Sequence, residues 1–349
     1  MSTPTVSVIV PCRSEADLIR VCLHSILTQE PPPGGLEIIV ADGMSDDGTR
    51  GILNQLAAEH TRLQVVANPG LIVSTGLNAA LRVARGRIIV RMDAHTEYAE
   101  DYVRQCVAVL QETGADNVGG PALTKSTGYV QSAICAAYHS PFAVGGARFH
   151  DVEYEGYVDT VPYGCWPRAV FERFGFFDEE LIRNQDDEFN LRLTRAGGKI
   201  WQSPRIKSWY YPRRSLVALF WQYMQYGYWK VRIIRKHFLP ASVRHLVPAT
   251  FLLTMLVLGV SAPFWPLALQ AWLVFGGLYM ACNLAASVIA ACKGGISLLP
   301  ILPLVFSSYH FGYAFGFLLG VWDFLILRRG PTKKMSIITR PTEKGLQRP

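Results

Sequence analysis

The chain has 349 residues, a formal net charge of +7 and 50% hydrophobic residues. That length allows one large or two small domains plus further segments, and that apolar share excludes a disordered or low-complexity chain. The seven cysteines (12, 22, 106, 135, 165, 282, 292) show no CxxC spacing, which argues against a disulfide frame or a structural zinc site and for reduced, packing thiols.

Val6-Ser7-Val8-Ile9-Val10-Pro11 reads as a first buried strand, continuous and β-branched. Ser14–Thr28 follows as a helix, with Ser14 as its expected N-cap. Pro31-Pro32-Pro33-Gly34-Gly35 breaks the pattern, and Leu36–Ala41 is a second strand ending at Asp42. Residues 47–60 read as a helix, 63–67 as a strand, 74–84 as a helix and 87–92 as a fourth strand. This rhythm predicts an α/β fold with a mostly parallel sheet and right-handed crossovers. Residues 100–113 and 187–196 are further helices, with shorter strands at 117–121, 161–166 and 199–201.

Strands one, two and four of such a sheet deliver their C-terminal ends to one edge, where α/β folds bind ligands. That edge gathers the turn 11–15, Asp42, and the triplet Asp93-Ala94-His95. A carboxylate and an imidazole two residues apart can share a divalent cation. No Gly-x-Gly-x-x-Gly follows strand one and no Walker A sequence is present, which argues against a dinucleotide site and a P-loop NTPase.

From 245 to 327 the chain is overwhelmingly apolar, in three stretches: His245–Ala262, Leu267–Cys292 and Ile296–Leu327. Each approaches or exceeds the ~20 residues needed to cross a bilayer. Pro300 and Pro303 suggest a kink or a re-entrant turn in the third. Lys230, Arg232, Arg235, Lys236, His237 and Arg244 precede the first stretch, and Arg328, Arg329, Lys333 and Lys334 follow the last. Beside membrane segments such clusters point to anionic lipid on the cytoplasmic face rather than to nucleic acid. Three crossings would put the two clusters on opposite sides, so one stretch is expected to lie in the interface or to re-enter. With no basic region and apolar core at the N-terminus, the globular part is expected in the cytosol.

Five ordered motifs carry a resemblance: Val-Ser-Val-Ile-Val-Pro-Cys-Arg-Ser-Glu at 6–15; Glu-Ile-Ile-Val-Ala-Asp-Gly-Met-Ser-Asp-Asp-Gly-Thr at 37–49; Leu77-Asn78 before Ala84-Arg85-Gly86; Arg91-Met92-Asp93-Ala94-His95; and Gly175-Phe176-Phe177-Asp178-Glu179 followed by Asn184-Gln185-Asp186-Asp187-Glu188-Phe189-Asn190. The chain resembles the family 2 inverting glycosyltransferases over about Val6 to Trp229, and most of all their succinoglycan ExoA-type branch. The resemblance implies a GT-A fold. It implies domains at 1–240 (with an amphipathic interface region at about 213–240), a membrane region of two to three helices at 245–327 and a basic tail at 328–349.

It further implies a nucleotide-sugar donor, most often a UDP-sugar, and a lipid-linked (polyprenyl-diphosphate) saccharide acceptor. The place of action would be the inner (plasma) membrane, with the catalytic domain facing the cytoplasm. Asp42 matches the residue that accepts a hydrogen bond from the base. Asp93 and His95 match the family's Asp-x-Asp, where a Mn²⁺ or Mg²⁺ bridging the phosphates stabilises the leaving diphosphate. Histidine in the last place shifts preference toward Mn²⁺. Asp186 matches the catalytic base, with Asp187 as the alternative. Pro11, Arg13, Glu15 and Asn78 are expected around the donor, with Arg91 in support, while Arg168 is expected near the acceptor or the phosphates. Asp46 and Asp47 read as capping residues.

Two other readings compete. A sugar-phosphate nucleotidyltransferase would need a glycine-rich loop where Pro11–Glu15 stands. A non-catalytic membrane scaffold would not need Asp42, Asp93, His95 and Asp186 together.

Overall fold

The computed structural model describes residues 4–94 and 96–337. In chain order its main elements are β1 (Val6–Cys12), α1 (Ile19–Leu27), β2 (Leu36–Asp42), α2 (Thr49–Glu59), β3 (Leu63–Ala67), α3 (Val73–Val83), β4 (Ile88–Arg91), β5 (Thr96–Tyr98), α4 (Tyr102–Thr113), β6 (Asn117–Gly119) and β7 (Leu123–Thr124). Then come α5 (Tyr129–Tyr138), α6 (Pro141–Val144), β8 (Gly156–Tyr157), β9 (Cys165–Pro167), α7 (Ala169–Phe174), α8 (Gln185–Arg195), β10 (Ile200–Gln202) and β11 (Ser208–Tyr210). The chain closes with α9 (Leu216–His237), α10 (Val247–Ser261), α11 (Pro266–Gly294) and α12 (Leu302–Gly320). They fall into two compact units, one built from residues up to 123 and 152–210, the other from 124–151 and 211–335, with the residues from 336 on grouped with the first.

The first unit is an eight-stranded sheet of order β3-β2-β1-β4-β9-β6-β10-β8. β3, β2, β1 and β4 are parallel, as the sequence rhythm predicts. β9 enters antiparallel between β4 and β6, which makes the sheet mixed. A small second sheet has the order β5-β11-β7, with β5 and β11 antiparallel.

The period of two along each strand sorts the core into two layers. Val6, Val8, Val10, Ile38, Val40, Ile88 and Val90 face one cluster with α1 and α4. Ile9, Ile39, Ala41 and Ile89 face the other with α3, Trp166, Phe171, Phe189 and Leu193. Arg91 stands two residues after Ile89, so it shares the face that α8 covers through Phe189 and Leu193. The Ala84-Arg85-Gly86 motif belongs to this framework. Arg85 pairs with Glu37 at 2.8 Å, Gly86 N donates to Ser7 Oγ at 2.8 Å, and a Cβ on Gly86 would stand 2.5 Å from Ser7 N.

α1 begins at Ile19, five residues later than its expected cap. Ser14 instead sits in the left-handed region at φ 52°. The amides of residues 14–16 donate to Ser45 Oγ, Thr49 Oγ1 and Asp47 Oδ2 at 2.9, 2.9 and 3.1 Å. The turn after β1 is thus bound to the entry of α2 and cannot open a helix. Asp47 also accepts from Thr49 N at 3.1 Å, but the N-cap position is Gly48, so Asp47 holds the first turn from one residue before the cap rather than as the cap itself.

In the second unit, α9 starts on a true cap, where Ser215 Oγ accepts from Ala218 N at 3.2 Å. Among the described residues, three helical stretches are long and apolar enough to cross a membrane: Val243–Ser261, Pro266–Gly294 and Leu302–Ile326. Pro303 lies in the first turn of α12, where its missing N–H is harmless, so it opens the helix rather than kinking it. All seven cysteines are free thiols.

Candidate active site

The C-terminal ends of β1, β2 and β4 assemble the site. β1 and β2 finish in register, Cys12 opposite Asp42. The Asp42 side chain is fully buried. Its Oδ1 accepts from Ser45 N at 3.2 Å, and its Oδ2 lies 3.3 Å from Nε of the part-exposed Arg50. Burial, with the charges of Glu15 and Asp42 nearby, pushes the Cys12 thiol far up and keeps it neutral.

Arg13 follows β1 and lies against Gly43. A Cβ on Gly43 would meet Arg13 Cβ at 3.0 Å and Leu71 O at 3.1 Å, so any larger residue there would press on the arginine stem. The Nε and Nη1 atoms of Arg13 are buried with no hydrogen-bond partner among the described residues. Buried polar groups in folded proteins are nearly always bonded, so these guanidinium nitrogens call for an acceptor that the described residues do not supply.

β4 ends in a different arrangement. Its last residue, Arg91, pairs in register with Ile9 and is buried. Its Nε and Nη2 donate to the two carboxylate oxygens of Asp93 at 2.8 and 3.0 Å, a bidentate fork. Its Nη1 faces Asp186 Oδ2 at 4.0 Å. Burial alone would weaken the charge on Arg91, but Asp93 and Asp186 outweigh it and fix the guanidinium as a cation. Asp93 is held from behind as well. Its N–H donates to the Tyr98 hydroxyl at 2.5 Å, and its carbonyl accepts from Cys22 Sγ at 3.4 Å. Tyr163, whose hydroxyl shares a hydrogen bond of 2.7 Å with Thr96 Oγ1, packs edge-on against Tyr98. Burial drives both phenols well above their usual range, so they act as neutral hydrogen-bonding groups.

Asp186 stands in the first turn of α8, entered through Asn184 in the left-handed region. The buried Glu188, two residues on in the same turn, pairs with Arg192 at 3.0 Å. Asp186 is part exposed, at 39% of its side chain. Its Oδ1 accepts from Asp187 N at 2.9 Å. Burial, then the neighbouring Asp187 charge, raises its pKa above the usual aspartate value, while Arg91 pulls it back. A carboxylate made more basic yet still open to solvent is suited to accept a proton.

The structure thus joins Asp93 and Asp186 through Arg91, and sets Arg13, Glu15 and Asp42 along the neighbouring strand ends. Pro11 is inside β1, opposite Ala41. His95 lies outside the described residues. Asn78 is engaged elsewhere. Its amide donates to Phe177 O and Glu179 Oε1 at 2.9 and 2.8 Å, and its Oδ1 accepts from Phe177 N at 3.0 Å. Arg168 bonds to the backbone carbonyl of Ala84. Tyr98 and Tyr163 were not foreseen. Tyr98 stands five residues after Asp93 and could have been read from that spacing, whereas nothing local marks Tyr163.

Comparison with known proteins agrees with this geometry. The sequence model described as "Glycosyl transferase family 2" matches residues 7–142. The succinoglycan biosynthesis protein ExoA of Rhizobium meliloti is 32% identical over 243 residues, covering 69% of this chain and 73% of the relative. The chain belongs to glycosyltransferase family 2. A second relative of this glycosyltransferase, from Methanococcus voltae, is 26% identical over 90% of the chain and 97% of its own length. It is a dolichyl N-acetyl-alpha-D-glucosaminyl phosphate 3-beta-D-2,3-diacetamido-2,3-dideoxy-beta-D-glucuronosyltransferase. The fold of the family 2 chain is shared with the mannosyltransferase PcManGT of Pyrobaculum calidifontis, solved with GDP-Man and Mn²⁺. That likeness has a TM-score of 0.56 at 20% identity, over 90% of this chain and 87% of the other. The protein is therefore a glycosyltransferase of GT-A fold whose relatives build polysaccharides and glycans.

Proposed function

We propose that this glycosyltransferase moves one sugar, with inversion, from a nucleotide-sugar donor (a UDP-sugar first among candidates) to a lipid-linked saccharide at the cytoplasmic face of a membrane. Residues up to about 240 would carry the transfer, and 245–327 the attachment. The observation that carries the reading is the Arg91 bridge between Asp93 and Asp186. It supports a donor diphosphate near Asp93 and an acceptor hydroxyl near Asp186, with one fixed cation between the two carboxylates.

In this reading Asp186 takes the proton of the acceptor hydroxyl as that oxygen attacks the anomeric carbon, and Asp187 is the alternative base. Arg91 pulls the Asp186 pKa down against the burial and the Asp187 charge that raise it. Arg13 turns its orphaned nitrogens to the donor phosphates, and Glu15 and Pro11 line the same turn. Asp42 receives the base once Arg50 swings away, which its partial exposure allows. Asn78 supports the donor side at a distance, through the loop that leads to α8.

A divalent cation fits this donor set only as one shared with the substrate. Among the described residues no three His, Cys, Asp or Glu side chains gather into a metal cluster. Asp93 already shares its carboxylate with Arg91. Mg²⁺-type cations are commonly held by one or two carboxylates plus substrate phosphates. Asp93 and His95 would be the protein ligands, and the cation would stabilise the leaving diphosphate. The Mn²⁺ in the PcManGT complex and the dolichyl-linked substrate named for the Methanococcus relative support the cofactor and the acceptor class.

The test is a donor screen using membranes that carry polyprenyl-diphosphate sugars, with wild type and Asp186→Asn side by side. Transfer by wild type that is lost in the variant is expected. Equal transfer by both would remove Asp186 from the chemistry.

A further inference from the structure

We infer that the three apolar segments cross the membrane twice, not three times, and that the chain leaves the bilayer on the side where it enters. The inference deepens the membrane attachment proposed above and rests on it.

α9 and α12 run parallel in close contact. A Cβ on Gly312 would meet the carbonyl of Phe220, on Gly316 that of Met224, and on Gly320 that of Tyr228. The two lists advance together by four residues, so both helices point the same way. Their C-terminal ends are bound to each other. The Tyr228 hydroxyl donates to Asp323 Oδ2 at 2.8 Å, and Arg235 Nη1 donates to Phe324 O at 2.7 Å. Arg329 grips the other oxygen of the buried Asp323 at 2.7 and 3.0 Å. Trp229 Nε1 donates to Met335 O at 3.0 Å. The end of α9 and the exit from α12 are therefore at one level.

The first apolar segment begins at Val243, after only residues 238–242. Five residues reach at most about 18 Å, short of the ~30 Å hydrocarbon core. Non-helical backbone does not cross exposed lipid in any case. Entry and exit share a side, so the number of crossings is even. This places both basic clusters on one face, as the positive-inside rule asks.

α10 and α11 supply the two crossings. They pair antiparallel, with Phe251 stacked on Tyr279 at 5.1 Å and Gly259 facing Trp272 near the turn. No charged residue occurs from 246 to 292, and Phe264 and Trp265 stand exposed at the turn, as an aromatic belt would. α12 is the segment that stays at the surface. It is the least apolar and the most buried of the three. It is packed along α9, which carries Lys230, Arg232, Arg235 and Lys236. Between Arg214 and Lys230 α9 offers only residues 215–229 without charge, about 22 Å of helix against a ~30 Å core, so sinking α12 with α9 would draw charges at one end or the other into lipid, where they are expensive.

The test uses full-length protein in native membranes, with Cys135, Cys282 and Cys292 replaced by Ser and one reporter at a time: Val243→Cys, Phe264→Cys or Gly330→Cys. Intact cells and inverted vesicles are treated with a membrane-impermeant maleimide. Val243→Cys and Gly330→Cys should react from the same side, and Phe264→Cys from the other. Reaction of Val243→Cys and Gly330→Cys from opposite sides would overturn the inference, and so would reaction of all three from one side. Retention in carbonate-washed membranes reads the attachment separately, since loss from the membrane would sink the attachment reading itself.

Discussion

Arg13 and Arg91 follow the ends of adjacent parallel strands and differ in one respect. Arg91 has the Asp93 fork on two of its nitrogens and Asp186 at ion-pair distance, 4.0 Å, from the third, which makes no hydrogen bond among the described residues, while Arg13 has buried Nε and Nη1 atoms and no acceptor among those residues. The first cation organises the two carboxylates to which the chemistry is proposed. The second is the one proposed to meet the donor phosphates. A buried charge with its partner in place supports the fold. One without a partner weighs on the fold and is kept because something else binds it.

The largest expected effect tests the chemistry on the Arg91 side. Asp186→Asn should cut turnover by about 10²–10⁴-fold, as loss of a general base does, with donor affinity little changed in equilibrium binding. A larger loss in Asp187→Asn than in Asp186→Asn would move the base by one residue. The same variant bears on stability. Because folding raises the Asp186 pKa, the protonated form is favoured in the fold, and this stabilisation fades as pH rises through that pKa. Asp186→Asn should therefore melt no lower than wild type near neutral pH.

Arg91→Met comes next, and it should cost both activity and stability. Breaking a buried pair typically destabilises by about 3–5 kcal/mol. Asp186 would lose the cation that restrains its pKa, so the acid limb of the pH–rate profile should move to higher pH. A lower rate with an unmoved limb would make Arg91 a framework residue only. Arg91→Lys, which keeps the charge without the fork, should restore the limb but not the full rate.

His95→Ala should abolish metal-dependent turnover, and His95→Asp should keep it with a shift from Mn²⁺ toward Mg²⁺. Since the described residues form no metal cage, Mn²⁺ titrated by calorimetry should bind weakly alone and tightly with nucleoside diphosphate present. Tight binding without nucleotide would contradict the shared-cation reading. Arg13→Met gives the smallest and most discriminating effect. The donor KM should rise about tenfold, in the range of one charge-assisted hydrogen bond, with kcat near wild type and melting temperature unchanged or higher. A fall in melting temperature like that of Arg91→Met would erase the contrast between the two arginines.

The sequence shows much of this arrangement and hides a definable part. β1, β2 and β4 are legible because buried parallel strands read as continuous apolar runs, and their common polarity brings Asp42 and Asp93 to one edge. A strand read at 161–166 overlaps β9, but its antiparallel direction is not legible, because three residues carry no period and direction depends on the neighbours. Ser14 reads as a cap only while the demand of Ser45, Thr49 and Asp47 for the same amides is unseen. Arg91 reads as one cation in a strand. Its two carboxylate partners become visible only once alternation puts it under α8, about a hundred residues on. Asn78 is marked by motif, yet its bonds run to Phe177 and Glu179.

That last clasp has a bearing on engineering. The loop that leads to α8 and Asp186 is not a detachable module, because one amide in α3 holds both the N–H and the carbonyl of Phe177. A chimera that borrows the acceptor loop of a relative should be grafted together with its own third helix. If the two pieces come from different parents, Asp186 will be mis-set while the sheet beneath it remains intact.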